Sequence, residues 1–174
     1  MAASLHKAVF LDRDGTLIAN VPYLHQEKDV VLLEPVIPFL LQHQADGYLL
    51  VMVTNQSGVA RGMYDEATVR RLNQYVCDLL AKRGVTITAC YYCPHHPWEA
   101  VLPAYRQDCA CRKPAPGMLL QAAKDLKIDL SASIMVGDSQ CDLDAGKTAG
   151  CRVLDVASLL APKSASFQQK SSAL

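Results

Sequence analysis

Carboxylates follow two apolar runs of the sequence, at the points where polar turns begin. Asp12 and Asp14 come after residues 7–11, and Asp138 comes after residues 133–136 and one glycine. A carboxylate at the end of a rigid strand can attack phosphorus and divide one slow hydrolysis into two easier steps. A second carboxylate two residues further on can protonate the leaving oxygen and then activate water. The pattern therefore indicates a phosphate-monoester hydrolase with Asp12 as nucleophile and Asp14 as general acid/base.

The same carboxylates predict a magnesium site. Two carboxylates as close as those of Asp12 and Asp14 repel each other unless a hard cation lies between them. Mg²⁺ binds through one or two carboxylates, waters and substrate phosphate. Asp138 is expected at the same sheet edge as a third ligand, with Asp142 one helical turn beyond it. We therefore expect Mg²⁺ at Asp12, Asp14 and Asp138, and a contribution from Asp142 stays open.

Groups that suit phosphate occur at two further places in the sequence. Thr54 and Asn55 follow the apolar run 48–53, and their hydroxyl and backbone N–H groups suit phosphate oxygens. Lys113 adds a movable positive charge. Taken singly, such residues have ordinary roles as turn residues, helix caps or surface charges. Together with the carboxylates their chemistry is complementary, and the set predicts phosphoryl transfer.

The elements expected to position these residues alternate along the chain. Short apolar runs predict buried strands at residues 7–11, 48–53, 88–92, 133–136 and 151–154. Helical periodicity and helix-start signals predict helices at residues 35–44, 65–82, 117–126 and 142–149. Strands that alternate with helices pair in parallel through crossover connections. We expect an α/β fold, a doubly wound, Rossmann-like parallel sheet with helices on both faces, which binds ligands at the carboxyl ends of its strands.

Three cysteines and one histidine form a second chemical group. Cys93 and His95 make one arm, and Cys109 and Cys111 make the other. Three thiolates and one imidazole complete a tetrahedral Zn²⁺ site with no open position, which indicates a structural zinc. His96 could replace His95, but a CxH arm mirrors the CxC arm and favours His95. Such a metal would restrain the long loop between the arms.

Cys90 competes for a place in the same site. It lies three residues before Cys93, so strand alternation sends the two side chains to opposite faces. We interpret Cys90, like Cys77, Cys141 and Cys151, as a small side chain packed in the core.

Composition limits the organisation of the protein and its partners. The 174 residues are 51% apolar, enough for one compact domain, which we place at residues 1–160. Residues 161–174 have low complexity and little apolar periodicity, and we predict a flexible C-terminal tail there. Seventeen basic residues balance seventeen acidic ones, so no global field would attract nucleic acid or an anionic membrane surface. No apolar run approaches the ~20 residues of a membrane span, and we expect a monomeric cytoplasmic protein.

The order of the polar clusters resembles the four motifs of the haloacid dehalogenase superfamily. The clusters are Asp12-x-Asp14-Gly15-Thr16, Thr54-Asn55, Lys113-Pro114 and Gly137-Asp138. The resemblance implies that Asp12 is nucleophile and metal ligand, and that Asp14 is general acid/base and gives its backbone carbonyl to Mg²⁺. It also implies that Thr54 and Lys113 hold phosphate and that Asp138 binds Mg²⁺.

Longer segments resemble one family of that superfamily, the D-glycero-D-manno-heptose-1,7-bisphosphate 7-phosphatases. The segments are residues 54–62, 91–97 and 109–120. This resemblance implies a cytoplasmic enzyme without a large cap domain, active in the synthesis of heptose nucleotides for lipopolysaccharide. Its substrate would be a sugar bisphosphate that loses the 7-phosphate and keeps the 1-phosphate, with Arg112 as a clamp for the sugar or the retained phosphate. Further substrate contacts are implied for Asn20, Tyr23, Asn55, Gln56 and Ser57.

Two other functions stay open from the sequence. Histidinol-phosphate phosphatases have a similar zinc loop, usually shorter between the CxH and CxC arms, so the loop length here favours the heptose substrate. A zinc module that binds a cation without catalysis would not need every catalytic residue type. Residues 139–141 contain no basic side chain after Asp138, which leaves the anomer preference open.

Overall fold

The computed structural model describes residues 5–161, which contain a five-stranded parallel sheet. Its strands are β1 (Ala8–Leu11), β2 (Leu49–Asn55), β3 (Ala89–Cys93), β4 (Ile134–Gly137) and β5 (Arg152–Asp155). They lie in the order β3-β2-β1-β4-β5, and every neighbouring pair is parallel. The sheet confirms the doubly wound α/β fold predicted from the alternation of elements.

The helices of the described residues are α1 (Ile37–Ala45), α2 (Glu66–Ala81), α3 (Gly117–Leu126), α4 (Gln140–Ala149) and α5 (Ala157–Leu160). The start of α1 differs from the prediction because Glu34–Val36 forms a separate 3₁₀ turn. α4 begins two residues earlier than predicted, because Ser139 and Asp142 form a capping box. α5 was not predicted, since four residues are too few to show helical periodicity.

The helices cover both faces of the sheet because side chains alternate along each strand. Val9 and Leu11 of β1 pack in one core with side chains of α1 and α2. Ala8 and Phe10 of the same strand pack in the other core with side chains of α3 and α4. All four β1 side chains are buried, so β1 is a fixed support for whatever follows it.

Three strands end side by side at the centre of the sheet. β1 lies between β2 and β4, and Leu11 is in register with Met52 on one side and Val136 on the other. The polar residues that follow these strands therefore meet at one edge, where open α/β sheets bind their ligands. This is the edge at which the sequence predicted the catalytic groups.

Cys90 is exposed, so its assignment to the core was wrong. The physical reason is that β3 is an edge strand, paired only with β2, and part of its surface faces solvent. The Sγ atom of Cys90 lies 3.5 Å from Sγ of Cys77, which belongs to α2. Cys90 therefore contacts α2 at the rim of the sheet.

No helix of residues 5–161 is long and apolar enough to cross a membrane. Residues 1–4 and 162–174 lie outside the described part of the chain. The flexible tail predicted for residues 161–174 and the domain limits 1–160 therefore stay predictions.

Candidate active site

Asp12 occupies the first position after β1, at the centre of the sheet edge. Its backbone N–H donates to the carbonyl of Val136, 3.1 Å away, which fixes it against β4. Its carboxylate accepts a hydrogen bond from Lys113, with Nζ 2.8 Å from Oδ1. Both side chains are buried, and a buried charge is stable only when it is paired and hydrogen-bonded. Asp12 and Lys113, which are 101 residues apart in the sequence, thus form one ion pair.

Lys113 connects three groups at this edge. Besides Asp12, its Nζ atom contacts Oδ1 of Asp142 at 2.6 Å and donates to the carbonyl of Val53 at 2.8 Å. Burial disfavours the charged amine, but the two carboxylates outweigh burial and hold the pKa of Lys113 above its ordinary value. The amine therefore stays cationic, as a phosphate-binding group requires.

The carboxyl group of Asp12 is less acidic than an ordinary aspartate. Burial, with a smaller contribution from the carboxylate of Asp142, raises its pKa to about 6, although the charge of Lys113 opposes the shift. Removing a carboxylate from water disfavours its charged form. A shift of this kind marks a strongly desolvated carboxylate at a candidate functional site.

Three carboxylates lie close enough together to share a cation. Oxygen atoms of Asp12, Asp138 and Asp142 all lie within 4.8 Å of one another. The carboxylate of Asp138 lies over Gly15, where any Cβ atom would overlap it. Burial and the neighbouring Asp142 raise the pKa of Asp138. Three carboxylates face one lysine, and this excess of negative oxygen donors fits a hard divalent cation such as Mg²⁺.

Asp14 is held apart from that cluster by other partners. The guanidinium of Arg13 donates from Nε to Oδ2 of Asp14 at 3.2 Å and from Nη2 to Oδ1 at 3.3 Å. The side-chain amide of Gln56 donates to Oδ2 at 2.8 Å. Asp14 is therefore close to Asp12 in the chain, but Arg13 and Gln56 determine the direction of the Asp14 carboxylate.

Gln56 uses both ends of its side-chain amide inside the protein. Nε2 also donates to Oγ1 of Thr54 at 2.9 Å, and Oε1 accepts from the hydroxyl of Tyr64 at 3.0 Å. The side chain of Gln56 is buried. These contacts place it between Thr54 and Asp14, two of the predicted catalytic residues.

All but one of the predicted substrate-contacting residues line two adjoining cavities. A cavity of about 200 Å³ contains the side chains of the carboxylate cluster and Lys113, and also Asn20 and Asn55. The second, of about 180 Å³, is lined by Tyr23, Gln56 and Ser57 and again by Asn20 and Asn55. Asp14 lines both cavities.

Arg112 does not line either cavity. Its Nη1 atom instead donates to the backbone carbonyl of His95 at 3.3 Å. The guanidinium thus lies against the predicted zinc loop, immediately before Lys113 in the chain.

The four residues predicted to bind zinc converge in space. The Sγ atoms of Cys93, Cys109 and Cys111 lie 3.0 to 3.4 Å apart, and Nδ1 of His95 lies 3.5 Å from Sγ of Cys111 and 3.7 Å from Sγ of Cys93. Ligands at ~2.3 Å from a tetrahedral Zn²⁺ are separated by somewhat less than ~4 Å. The donor set and its spacing therefore fit zinc. The hydrogen bond between Cys111 and Cys93 lowers the pKa of Cys111 to about 5 and raises the pKa of Cys93, so Cys111 is the more acidic thiol of the pair.

His96 is directed away from these thiols. Its Nδ1 accepts from the backbone N–H of Glu99 at 3.0 Å, and its Nε2 faces the carboxylate of Glu99 at 3.1 Å. Both ring nitrogens are therefore engaged elsewhere, which supports the choice of His95.

Three residues around Asp14 were not predicted from the sequence: Arg13, Asn73 and Tyr64. Continued strand alternation would direct Arg13 away from its two neighbouring carboxylates, but the chain turns directly after β1 and the side chain is buried against Asp14. A signal for Asn73 was available, since it is a polar residue between Leu72 and Val76 on the apolar face of α2. No comparable signal marks Tyr64.

Comparisons with known proteins agree with this geometry. A family model described as HAD-hydrolase-like matches residues 110–159. A curated protein of Photorhabdus laumondii is 46% identical over 149 residues, which are 84% of this chain and 79% of that protein. One of Pasteurella multocida is 50% identical over 145 residues, 83% of this chain and 78% of that protein. Both are named D-glycero-beta-D-manno-heptose-1,7-bisphosphate 7-phosphatase.

Solved structures show the same fold. A HAD-like phosphatase from Mesorhizobium loti superposes with a TM-score of 0.82 at 34% identity, covering 90% of this chain and 85% of that one. A D,D-heptose 1,7-bisphosphate phosphatase from B. bronchiseptica, complexed with magnesium and phosphate, has a TM-score of 0.73 at 33% identity. That match covers 84% of this chain and 78% of the other.

Proposed function

The chain belongs to the family of D-glycero-beta-D-manno-heptose-1,7-bisphosphate 7-phosphatases, and we propose that it removes the 7-phosphate from the heptose 1,7-bisphosphate in the synthesis of heptose-nucleotide precursors of lipopolysaccharide. The observation that carries the proposal is the buried Asp12 paired with Lys113 at the end of the central strand, 2.8 Å apart. Asp14 is held in place two residues further on. The groups proposed as nucleophile, phosphate-binding cation and general acid/base thus lie at one sheet edge.

The chemistry proceeds in two steps through Asp12. A carboxylate oxygen of Asp12 attacks phosphorus and forms an aspartyl phosphate, while the bond to the C7 oxygen breaks and Asp14 gives that oxygen a proton. Asp14 then takes a proton from water, which attacks the phosphoryl group and releases inorganic phosphate. Asp12 is regenerated as the carboxylate and Asp14 as the acid, so protons and charges balance over the cycle.

Lys113 and Thr54 bind the oxygens of the transferred phosphoryl group. Lys113 is preorganised for this by its contacts with Val53 and Asp142, and the hydroxyl of Thr54 is oriented by Gln56. Groups fixed before the reaction stabilise developing charge without a reorganisation cost.

Magnesium would be held by Asp12, Asp138 and the backbone carbonyl of Asp14. When bound, it neutralises the charge of the phosphoryl group and of the crowded carboxylates. Asp142 lies within the same cluster, but its contact with Lys113 at 2.6 Å gives it the additional role of holding the lysine.

A structural zinc is proposed at Cys93, His95, Cys109 and Cys111. The loop between the two arms packs on the segment that follows β2, since the N–H groups of Val101 and Leu102 both donate to the carbonyl of Ala60. Zinc would therefore stabilise the segment that follows β2, in which Gln56 and Ser57 line a substrate cavity.

Substrate selection is assigned to the residues around those cavities. Asn20, Tyr23 and Ser57 line the cavity next to Asp14, where the sugar would lie. Arg112 lines neither cavity and contacts the carbonyl of His95; it is proposed to clamp the sugar or the retained 1-phosphate from the zinc-loop side, as a guanidinium can bind phosphate through two parallel hydrogen bonds. We further propose a monomer that acts in the cytoplasm on this small-molecule substrate.

Phosphate release from a panel of substrates tests the proposal. The panel contains both anomers of heptose 1,7-bisphosphate, histidinol phosphate and fructose 1,6-bisphosphate, each with and without Mg²⁺. We expect Mg²⁺-dependent release from a heptose bisphosphate, with the highest kcat/KM for the beta anomer, and none from Asp12→Asn. A higher kcat/KM for histidinol phosphate would contradict the proposed substrate.

A further inference from the structure

The carboxylate of Asp14 is fixed by Arg13, which is in turn fixed by α2. Arg13 donates two hydrogen bonds to Asp14, from Nε and Nη2. Its remaining terminal nitrogen, Nη1, donates to Oδ1 of Asn73 at 2.9 Å. Arg13 and Asn73 are 1% and 4% exposed, so the plane of the guanidinium is set by the protein interior and not by solvent.

A buried guanidinium in this position needs an explanation. Burying a cation is costly unless its N–H groups are satisfied, and here they are directed at one carboxylate and one amide. The planar fork of arginine fixes the positions of both carboxylate oxygens, which the point charge of lysine would not do. The contact thus sets the orientation of Asp14 as well as its charge environment.

Gln56 fixes the same carboxylate from the other side. Its Nε2 donates to Oδ2 of Asp14 at 2.8 Å. The oxygen and nitrogen of this amide cannot freely exchange places by rotation, because Oε1 accepts a hydrogen bond from the hydroxyl of Tyr64 at 3.0 Å. Tyr64 comes from the segment just before α2.

We propose that Arg13 and Gln56 are positioning residues for general acid/base catalysis by Asp14, and that Asn73 and Tyr64 set their orientation. A carboxylate has about four sites for hydrogen bonds. Nε of Arg13 and Nε2 of Gln56 donate to Oδ2, and Nη2 of Arg13 lies between the two oxygens, 3.0 Å from Oδ2 and 3.3 Å from Oδ1. The open site on Oδ1 then decides which oxygen meets the leaving group. This inference rests on the proposed role of Asp14 in the proposed function.

The leaving group gives a readout that a purely structural role would not change. A sugar alkoxide needs a proton from Asp14 as it departs, whereas p-nitrophenolate is stable enough to leave without one. The value of kcat/KM reports the steps up to the first bond cleavage, before Asp14 is needed to activate water. A misplaced Asp14 therefore lowers kcat/KM for heptose 1,7-bisphosphate and spares p-nitrophenyl phosphate.

Tyr64→Phe is the mildest test, since it removes one hydroxyl and leaves the ring. General acid catalysis contributes roughly 10²- to 10⁴-fold, and small displacements of a catalytic group forfeit part of it. We expect kcat/KM for the heptose bisphosphate to fall ~10-fold, with kcat/KM for p-nitrophenyl phosphate within about twofold of wild type.

Tyr91→Phe is the matched control. Its hydroxyl also donates to a side chain at 3.0 Å, but the acceptor is Asp125 of α3, away from Asp14. In this variant the ratio of kcat/KM for heptose 1,7-bisphosphate to kcat/KM for p-nitrophenyl phosphate should stay at the wild-type value.

Arg13→Lys keeps the positive charge but removes the planar guanidinium. We expect kcat/KM for heptose 1,7-bisphosphate, divided by kcat/KM for p-nitrophenyl phosphate, to fall ~100-fold. If thermal unfolding shows that this variant is not folded, the Tyr64→Phe result alone tests the inference.

Equal losses of kcat/KM on both substrates, or no loss on either, would overturn the inference and leave the proposed function intact. If wild type does not hydrolyse heptose bisphosphate, the proposed function fails and the ratio is measured on another alkyl phosphate. No turnover of any alkyl phosphate would overturn both.

Discussion

The side-chain amide of Asn55 holds the backbone of Lys113 by two hydrogen bonds. Nδ2 donates to the carbonyl of Lys113 at 3.0 Å, and Oδ1 accepts from its N–H at 3.1 Å. Asn55 is the last residue of β2, whereas Lys113 lies in the loop before α3. The sheet therefore sets the position from which the lysine side chain reaches Asp12.

Asn55→Ala should lower kcat/KM for the sugar bisphosphate by ~10- to 100-fold, because displacements of about 1 Å can reduce rates by this amount. Steady-state kinetics would measure the change. Gln44→Ala is a matched control: the amide of Gln44 donates to the carbonyl of Gly84 at 3.0 Å and accepts from the N–H of Thr86 at 2.7 Å. It should lower the melting temperature with kcat/KM unchanged. Equal kinetic effects of the two variants would refute the role of the Asn55 contact.

Lys113→Met should destabilise the fold as well as abolish turnover. It leaves Asp12 and Asp142 buried without their cation, and such a loss typically costs about 3–5 kcal/mol of unfolding free energy. Urea denaturation would measure it. Adding Asp142→Asn should recover part of the stability but no activity, since the phosphate-binding cation stays absent. Recovery of activity in the double variant would exclude Lys113 from phosphate binding.

The position of Asp12, Thr54 and Asp138 at one edge could be predicted from sequence, because parallel strands deliver their carboxyl ends to the same place. The contacts of Arg13 could not be predicted in that way. The period of two holds only while the strand continues, and β1 ends at Leu11. Beyond that point the direction of a side chain depends on tertiary partners such as Asn73, 60 residues away.

The predicted convergence of Cys93, His95, Cys109 and Cys111 is found in the structure, whereas the predicted burial of Cys90 is not. The reason for the difference is again that local sequence does not show tertiary position. Spacing alone predicted the convergence of the CxH and CxC arms, since a short arm fixes the separation of its own ligands. The exposure of Cys90 depends on β3 being an edge strand, and the order of strands in a sheet is not encoded in the local pattern. An amphipathic period cannot distinguish a central strand from one at the rim.

Cys109→Ala should release the bound zinc and lower the melting temperature, because metal binding contributes directly to folding. Elemental analysis of purified protein would give the zinc content. Cys90→Ala, which removes an exposed thiol outside the cluster, should retain about one zinc per chain. A zinc-free wild-type protein of unchanged stability would contradict the structural role.

His95→Ala should lose zinc, whereas His96→Ala should retain it. Of these two histidines, His95 has a ring nitrogen near the thiols, 3.5 Å from Sγ of Cys111, while His96 faces Glu99. The two variants would be compared for zinc content and melting temperature. Zinc loss from His96→Ala alone would reverse the assignment.

The proposed reaction requires that Asp12 becomes phosphorylated during turnover. Mass spectrometry of enzyme quenched in acid within the first turnover of heptose 1,7-bisphosphate would detect this aspartyl phosphate. We expect one added phosphoryl group on the peptide that contains Asp12, absent from Asp12→Asn. Full turnover by Asp12→Asn, or a phosphoryl group found on another residue, would contradict the proposed reaction.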